Sequence, residues 1–425
     1  MKKIKDGYKM TELGELPVEW EVGYLENIAQ RLSGHTPDKK ICKYWNGDIP
    51  WISLKDTKRL DKRYISETTD YTTEEGIKNS SAVMLPRGTV VLSRDATVGK
   101  VGITDKKMAT SQHFINYVCG EKLNNLYLYY DFYNRKPLFE RIGVGSTIKT
   151  IGLPFFKSLN IVLPSVKEQQ KIADILSTVD DKIENTENIL GKTKELKKGL
   201  MQRLLTKGIG HDRFKNTDIG EIPEKWEVIS LNNLGETYTG LSGKSKEDFG
   251  KGKPYIPYKN IFNNTKVDIS YLDYVNIEKN EQQNVVQYGD VFFTTSSETP
   301  EEVGMSSVIL DEIEELYLNS FCFGYRLNSF EILSPNYARY LLRGDYIRKK
   351  MNILAQGSTR FNLSKNSVLQ IKIPIPPLKE QLLIASILFS IDEKIEQYKS
   401  KKEKLQELKK GLMQKLLTGM IRVKI

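Results

Sequence analysis

The stretch Glu195-Leu-Lys-Lys-Gly-Leu-Met-Gln-Arg-Leu-Leu-Thr206 returns as Glu407-Leu-Lys-Lys-Gly-Leu-Met-Gln-Lys-Leu-Leu-Thr418, with Arg203 against Lys415 as the one change. A near-identity at this separation marks an internal repeat, and a repeat decides architecture before any local pattern does. Each copy closes a longer charged amphipathic segment, about 166–207 and 378–418, so the match is the end of a repeated helix. Further out, Leu13-Gly-Glu-Leu-Pro-Val-Glu-Trp-Glu-Val22 is echoed by Ile219-Gly-Glu-Ile-Pro-Glu-Lys-Trp-Glu-Val228. Gly145-Ser-Thr147 recurs as Gly357-Ser-Thr359, and Pro164-Ser-Val-Lys-Glu-Gln169 as Pro376-Pro-Leu-Lys-Glu-Gln381. The period is 206 to 212 residues. Between the anchors, Trp51-Ile-Ser-Leu-Lys-Asp56 and Tyr255-Ile-Pro-Tyr-Lys-Asn-Ile261 are only loosely alike, so a shared frame carries two different inserts.

A chain of 425 residues, 39% apolar and 10% aromatic, exceeds what one hydrophobic core usually serves and is ample for two. Lys and Arg outnumber Asp and Glu by 64 to 54, a net charge of +10 that favours a polyanionic partner without naming it. Cys42, Cys119 and Cys322 are odd in number and widely spaced, which provides neither a disulfide framework nor a paired-cysteine metal site. A reducing cytoplasm is the expected location. The lysine-rich start, residues 1–10, lacks an apolar core of signal-peptide length, and no apolar run of about 18 residues occurs.

Residues 1–165 read as mixed α/β, with short apolar runs at 49–54, 89–93, 101–104, 114–118 and 159–163 separated by turn residues. The aromatic segment 125–141 has helical spacing and contains Pro137, which predicts a kink or a stop there. Ser165-Val-Lys-Glu168 matches a capping box at the start of a long helix over 166–207. Ile172, Leu176, Val179, Ile183, Thr186 and Leu190 form its apolar seam; Ile384, Leu388, Ile391, Ile395, Tyr398 and Leu405 repeat it in the segment 378–425. Both helices therefore want a helical partner. Gly199 and Gly411 sit inside them, suggesting close backbone approach or a bend, and Gly208 and Gly419 supply the left-handed stop. The second insert, 208–377, repeats the α/β pattern, with Ser334 and Pro335 opening a helix.

No catalytic constellation survives inspection. Gly240-Leu-Ser-Gly-Lys-Ser245 has two residues between its glycines where a phosphate loop needs four. Asp180-Asp-Lys182 and Asp392-Glu-Lys394 resemble a nuclease core but fit solvated helix faces with pairing at three and four residues. His35, His113 and His211 are isolated from any zinc or nucleophile partner. What remains is a set of basic and amide residues in polar loops: Lys55, Lys58, Arg59 and Arg63; Arg94 and Lys100; Lys244 and Lys246; Lys259, Asn260, Asn263 and Asn264; Arg360 and Lys365. Arg and Lys neutralise phosphates or grip guanine edges, and Asn pairs with adenine, so these are the candidate DNA-binding residues.

The doubled Leu13-Gly-Glu-Leu-Pro…Trp20 entry, the helix start Leu163-Pro-Ser-Val-Lys-Glu-Gln-Gln-Lys-Ile-Ala-Asp-Ile-Leu176 and the helix end 195–206 together resemble the specificity subunits of Type I restriction-modification enzymes. The likeness covers nearly the whole chain. It implies an α/β (α+β) fold of two target recognition domains, 1–165 and 208–377, separated by two long antiparallel coiled-coil helices in a pseudo-twofold tandem repeat. It further implies a non-catalytic DNA-recognition subunit that docks two methyltransferase subunits, which use S-adenosylmethionine, and two ATP-driven restriction subunits. The absence of catalytic motifs agrees with it. The recognition loops are the variable part of such subunits, so the candidate DNA-binding residues rest on chemistry and loop position alone. Two other readings stay open: the recognition portion of a fused DNA-modifying or cleaving enzyme, which a methyltransferase Asn-Pro-Pro-aromatic motif would mark and which is missing here, and a helical scaffold that binds only proteins.

Overall fold

The computed structural model describes residues 4–145 and 149–425, so Ser146 and Thr147 of the first glycine motif lie outside the described residues. The chain divides into two compact units, Met1–Glu187 with Ser400–Ile425, and Asn188–Lys399.

In the first unit a five-stranded sheet runs in the order Ala29–Ser33, Phe114–Cys119, Val90–Ser93, Val101–Thr104, Tyr64–Ile65. Its pairs are antiparallel except the last, which is parallel. A three-stranded sheet places Trp45–Ile52 between Ala109–Thr110 and Asp70–Thr72. The second unit has a four-stranded sheet ordered Gly235–Thr239, Cys322–Leu327, Val291–Thr294, Ser306–Val308, and a three-stranded one centred on Phe249–Ile256. The register shifts between Trp45 and Ile49 in one central strand and between Phe249 and Lys253 in the other, each against a single partner residue. The loosely matching sequence runs thus occupy the same bulged strand and the turn after it.

The aromatic segment forms two helices, Asn125–Asn134 and Lys136–Ile142, with the break at Arg135 one residue before Lys136-Pro137, where the proline ring fits a helix start. In the second unit Pro335–Leu341 follows Ser334 as expected, although the Ser334 hydroxyl makes no cap and a second helix, Asp345–Leu354, adds to the layer.

The first long helix, Val166–Lys207, and the second, Leu378–Leu416, each belong to both units. Within the first unit Asp180 pairs with Lys409 and Glu187 with Lys402, so the segments run antiparallel. Ile172 and Leu176 bury in that unit's core with Met413, Leu416 and Leu417. Within the second unit Lys197 pairs with Asp392, Leu190 packs on Ile391 and Ile395, and Ile384 and Leu388 bury beside Leu204 and Leu205. The seam is therefore core at each end and helix-on-helix between.

Each helix root is a set of contacts made twice. Trp20 Nε1 donates to Glu168 at 3.0 Å, and Trp226 Nε1 donates to Glu380 at 3.0 Å. Gln169 accepts from Asn124 N and donates to the carbonyls of Pro164 and Lys122; Gln381 accepts from Ser334 N and donates to those of Pro376 and Ile332. Ser165 Oγ accepts from Glu168 N at 3.3 Å, but the Glu168 carboxylate goes to Trp20 and Arg422, so the expected capping box is only half made. Gly208 and Gly419 have φ of +63° and +70°, and a Cβ on Gly208 would lie 2.3 Å from Glu380. The left-handed stops hold. Close approach at Gly199 and Gly411 does not: a Cβ there would meet nothing within 4 Å.

Asp180 and Asp392 correct the solvated-face reading. Each accepts a 2.8 Å hydrogen bond from a tyrosine of its own unit, Tyr130 or Tyr340, and a lysine of the other long helix, Lys409 or Lys197, closes the triangle. These partners hold two half-buried carboxylates in place, and losing one leaves a partly desolvated charge unpaired. Arg63, counted among the loop cations, clamps the same helix by donating to the Ser177 carbonyl and to Asp181.

Candidate nucleic-acid interface

In the second unit the strand Phe249–Ile256 ends at Pro257, and the short helix Tyr258–Asn263 follows at once. Asn260 is fully buried in it. Its amide donates to the carbonyls of Asp268 at 2.8 Å and Tyr271 at 2.6 Å, and its oxygen accepts from Asp268 N and Asn264 Nδ2. Every hydrogen-bonding position of that side chain is used internally, so Asn260 shapes the turn and cannot face a base. The end of the helix is held by Arg343, whose guanidinium donates to the carbonyls of Ile261, Phe262 and Asn264. Burial pushes that guanidinium down to about 10. The result is a rigid turn that leaves Lys259 and Asn263 exposed.

Lys259 and Asn263 meet Arg360 around one open cavity of about 760 Å³, whose other walls include Tyr258, Phe262 and Phe321. The rings of Tyr258 and Phe262 stack with centroids 5.9 Å apart. Phe321 is 55% exposed, with the Arg360 guanidinium 5.8 Å from its ring centre. Cations, an amide and exposed aromatic faces are the equipment with which proteins hold nucleic acid. The aromatic members were missed in the sequence because Phe321 lies far along the chain from the helix that carries Tyr258 and Phe262. Lys365 stands apart, over Phe323 at 5.9 Å, and partial burial pulls its ammonium below the usual lysine range. Lys244 is a correction: its ammonium is buried against Glu281, whose carboxyl it holds down to about 2, and it is unavailable to a ligand. Lys246, on the same loop, is exposed.

In the first unit Asp56 takes the place of Asn260. Its fully buried carboxylate accepts from Ser53 N, Thr69 N and Arg59 Nη1. Arg59 is thereby a structural cation, also donating to Thr69 Oγ1 at 3.0 Å. Lys55 pairs with Asp70 at 2.9 Å and lines an open cavity of about 440 Å³ with Lys39, Trp45, Asn46 and Tyr71. Lys58 is exposed beside this turn. Lys100 donates to the Thr57 carbonyl at 2.8 Å. Arg94 is mostly buried, its Nε 3.6 Å from Asp95, which His113 also contacts at 3.0 Å. Lys100 and Arg94 thus tie loops together, and of the candidate cations in this unit only Lys55 and Lys58 are exposed.

Among the described residues no group of three or more His, Cys, Asp or Glu is placed to hold a metal ion. No helix of the described residues is long and apolar enough to cross a membrane.

Residues 17–195 and 223–407 match the family described as Type I restriction modification DNA specificity domain. The chain is 28% identical over 430 residues to the Type I restriction enzyme MjaIX specificity subunit of Methanocaldococcus jannaschii, covering 98% of this chain and 96% of that protein. It is 29% identical over 418 residues to the MjaVIII specificity subunit of the same organism, covering 96% of this chain and 94% of that protein. Its fold is similar to the crystal structure of the Type-I restriction-modification S subunit from M. genitalium, with a TM-score of 0.56 at 16% identity over 100% of this chain and 98% of that one.

Proposed function

Because this chain belongs to the Type I restriction modification DNA specificity family, we propose that each of its two units reads one half of a split DNA target while the long helices fix the gap between the halves. It is the DNA specificity subunit of a type I restriction-modification system, a recognition subunit without catalysis of its own. The cofactors of such a system, S-adenosylmethionine, ATP and magnesium, reside on the methyltransferase and restriction subunits. We propose two copies of each as partners, with the helices docking the methyltransferase subunits.

The observation that carries this reading is the duplication of support without duplication of surface. Each unit holds a rigid turn by a buried polar residue, Asp56 or Asn260, after the same bulged strand, and presents different side chains from it. In the first unit Lys55 and Lys58 are the exposed cations of the candidate set; in the second Lys259 and Arg360 line one cavity with the amide of Asn263, and Lys246 and Lys365 lie outside its lining. These residues are the proposed DNA contacts. Arg94, Lys100, Arg59, Asn260 and Lys244 are proposed to act through the loops they hold.

Sequencing the methylated sites of a complex of this chain with its methyltransferase partner tests the proposal. A split motif with a fixed gap is the expected result. The first long helix has 42 residues and the second 39, about 60 Å of rod at 1.5 Å per residue. Inserting seven residues after Glu187 and seven after Lys399 keeps the seam and adds about 10 Å, so the gap grows by at most about 3 bp and the half-sites stay as they were. An unchanged gap in the doubly extended protein overturns the spacing role of the helices.

A further inference from the structure

Two exposed carboxylates stand where a DNA-facing surface should have none: Glu298 and Glu302 both lie on the wall of the large cavity of the second unit, which Lys259 and Arg360 also line. Next to a polyanion a carboxylate is repelled unless it accepts a hydrogen bond that only a base can give.

The loop that carries Glu302 is built to stay still. Val303 is fully buried in the core. Gly304 has φ of +66°, and a Cβ there would sit 2.9 Å from Leu363, so the turn demands glycine. From the helix Asp345–Leu354, Arg348 donates to the carbonyls of Glu301, Val303 and Gly304, each at 2.7 Å, flanking Glu302 on both sides. The carboxylate itself is turned by Ser297, whose Oγ donates to Glu302 Oε2 at 3.1 Å. No other hydrogen bond or ion pair engages that carboxylate among the described residues. With one internal hydrogen bond, the exposed carboxylate keeps Oε1 and its remaining lone pairs open to a donor outside the chain.

We propose that Glu302 is a specificity-determining residue of the second unit, accepting a hydrogen bond from the exocyclic amino group of one base, adenine N6 or cytosine N4, while Lys259 and Arg360 hold the flanking phosphates. The inference rests on the function proposed above. Among the described residues of the first unit the corresponding acidic positions are already engaged: Asp95, at the turn after Val90–Ser93, by His113 and Arg94, and Asp70, on the cavity wall, by Lys55. The effect is therefore confined to one position of one half-site.

The test uses the full chain assembled with its methyltransferase partner, with methylated sites read by sequencing for wild type, Glu302→Ala, Glu302→Gln and Glu312→Gln. Glu302→Ala removes the acceptor and lowers discrimination at one position of the half-site assigned to the second unit by about tenfold. Glu302→Gln, whose amide also donates, admits guanine or thymine at that same position. Glu312→Gln, at an exposed carboxylate of the same unit outside the cavity, leaves the motif unchanged. If both Glu302 variants methylate the wild-type motif with undiminished discrimination, or if Glu312→Gln alone changes it, the assignment is wrong. A wild-type complex without a split motif would overturn the proposed function, and this inference with it.

Discussion

The root of the first long helix and the root of the second are almost the same set of atoms, whereas the loop faces of the two units share little beyond the backbone that carries them. At the roots, Trp20, Glu168 and Gln169 are matched contact for contact by Trp226, Glu380 and Gln381. One partner differs: Arg422 meets Glu168 where His211 meets Glu380. At the faces, the amide of Arg94 donates to the His113 carbonyl as that of Thr295 does to the Phe321 carbonyl, so the framework is common. The side chains presented there are a histidine tied to aspartate in one unit and an exposed phenylalanine under an arginine in the other. Where both halves must do one job, the chain repeats the contacts. Where they must differ, it keeps the hydrogen-bonded backbone and exchanges what projects from it.

The largest effects should come from breaking the repeated part. Trp20 and Trp226 are both fully buried, so Trp20→Ala and Trp226→Ala are each expected to cost about 3–5 kcal/mol of the stability of the unit that holds them. Urea unfolding followed by hydrogen exchange resolves which unit opens. A loss below about 1 kcal/mol in either variant contradicts the equivalence of the two roots.

Next come the exposed cations of the faces. Lys259→Ala and Lys58→Ala each remove a lysine with no ion-pair partner among the described residues. A lysine on a phosphate gives a uniform fall in affinity over all sequences and flattens the salt dependence by roughly one unit of slope. Filter binding of the assembled complex between low and physiological salt measures it. A loss of about 1–3 kcal/mol on the cognate site alone instead marks a base contact, and no change for either lysine removes it from the interface.

The smallest effect concerns the glycines inside the helices. With open space at both positions, Gly199→Ala and Gly411→Ala should each raise stability by up to about 1 kcal/mol, additively, in thermal unfolding. A destabilised variant would mean that the position is in close contact in the assembled complex.

These outcomes bear on how much of the molecule was legible in its sequence. The duplication, the long helices, their seam and their glycine stops were all readable, because a repeated contact leaves the same letters twice. Pro137 marked its helix break for a local steric reason. The clamps were misread: Asp180 and Asp392 look like solvated acids because their partners, Tyr130 with Lys409 and Tyr340 with Lys197, come from distant segments. For the same reason a list of loop cations could not separate Lys259 and Arg360, which line a cavity, from Arg59 and Lys244, which neutralise buried or neighbouring carboxylates. The half-buried Arg343 and Arg348, which hold the loops by their carbonyls, left no sequence signal at all.

The central claim is that the two units read independently on a common support, and exchange of one unit's insert tests it most directly. Residues 221–377 are replaced by the corresponding segment of another specificity subunit, and the methylated sites of the assembled complex are sequenced. The account predicts a new sequence in one half of the motif, with the other half and the gap retained. A change in both halves, or in the half read by the untouched unit, would contradict it.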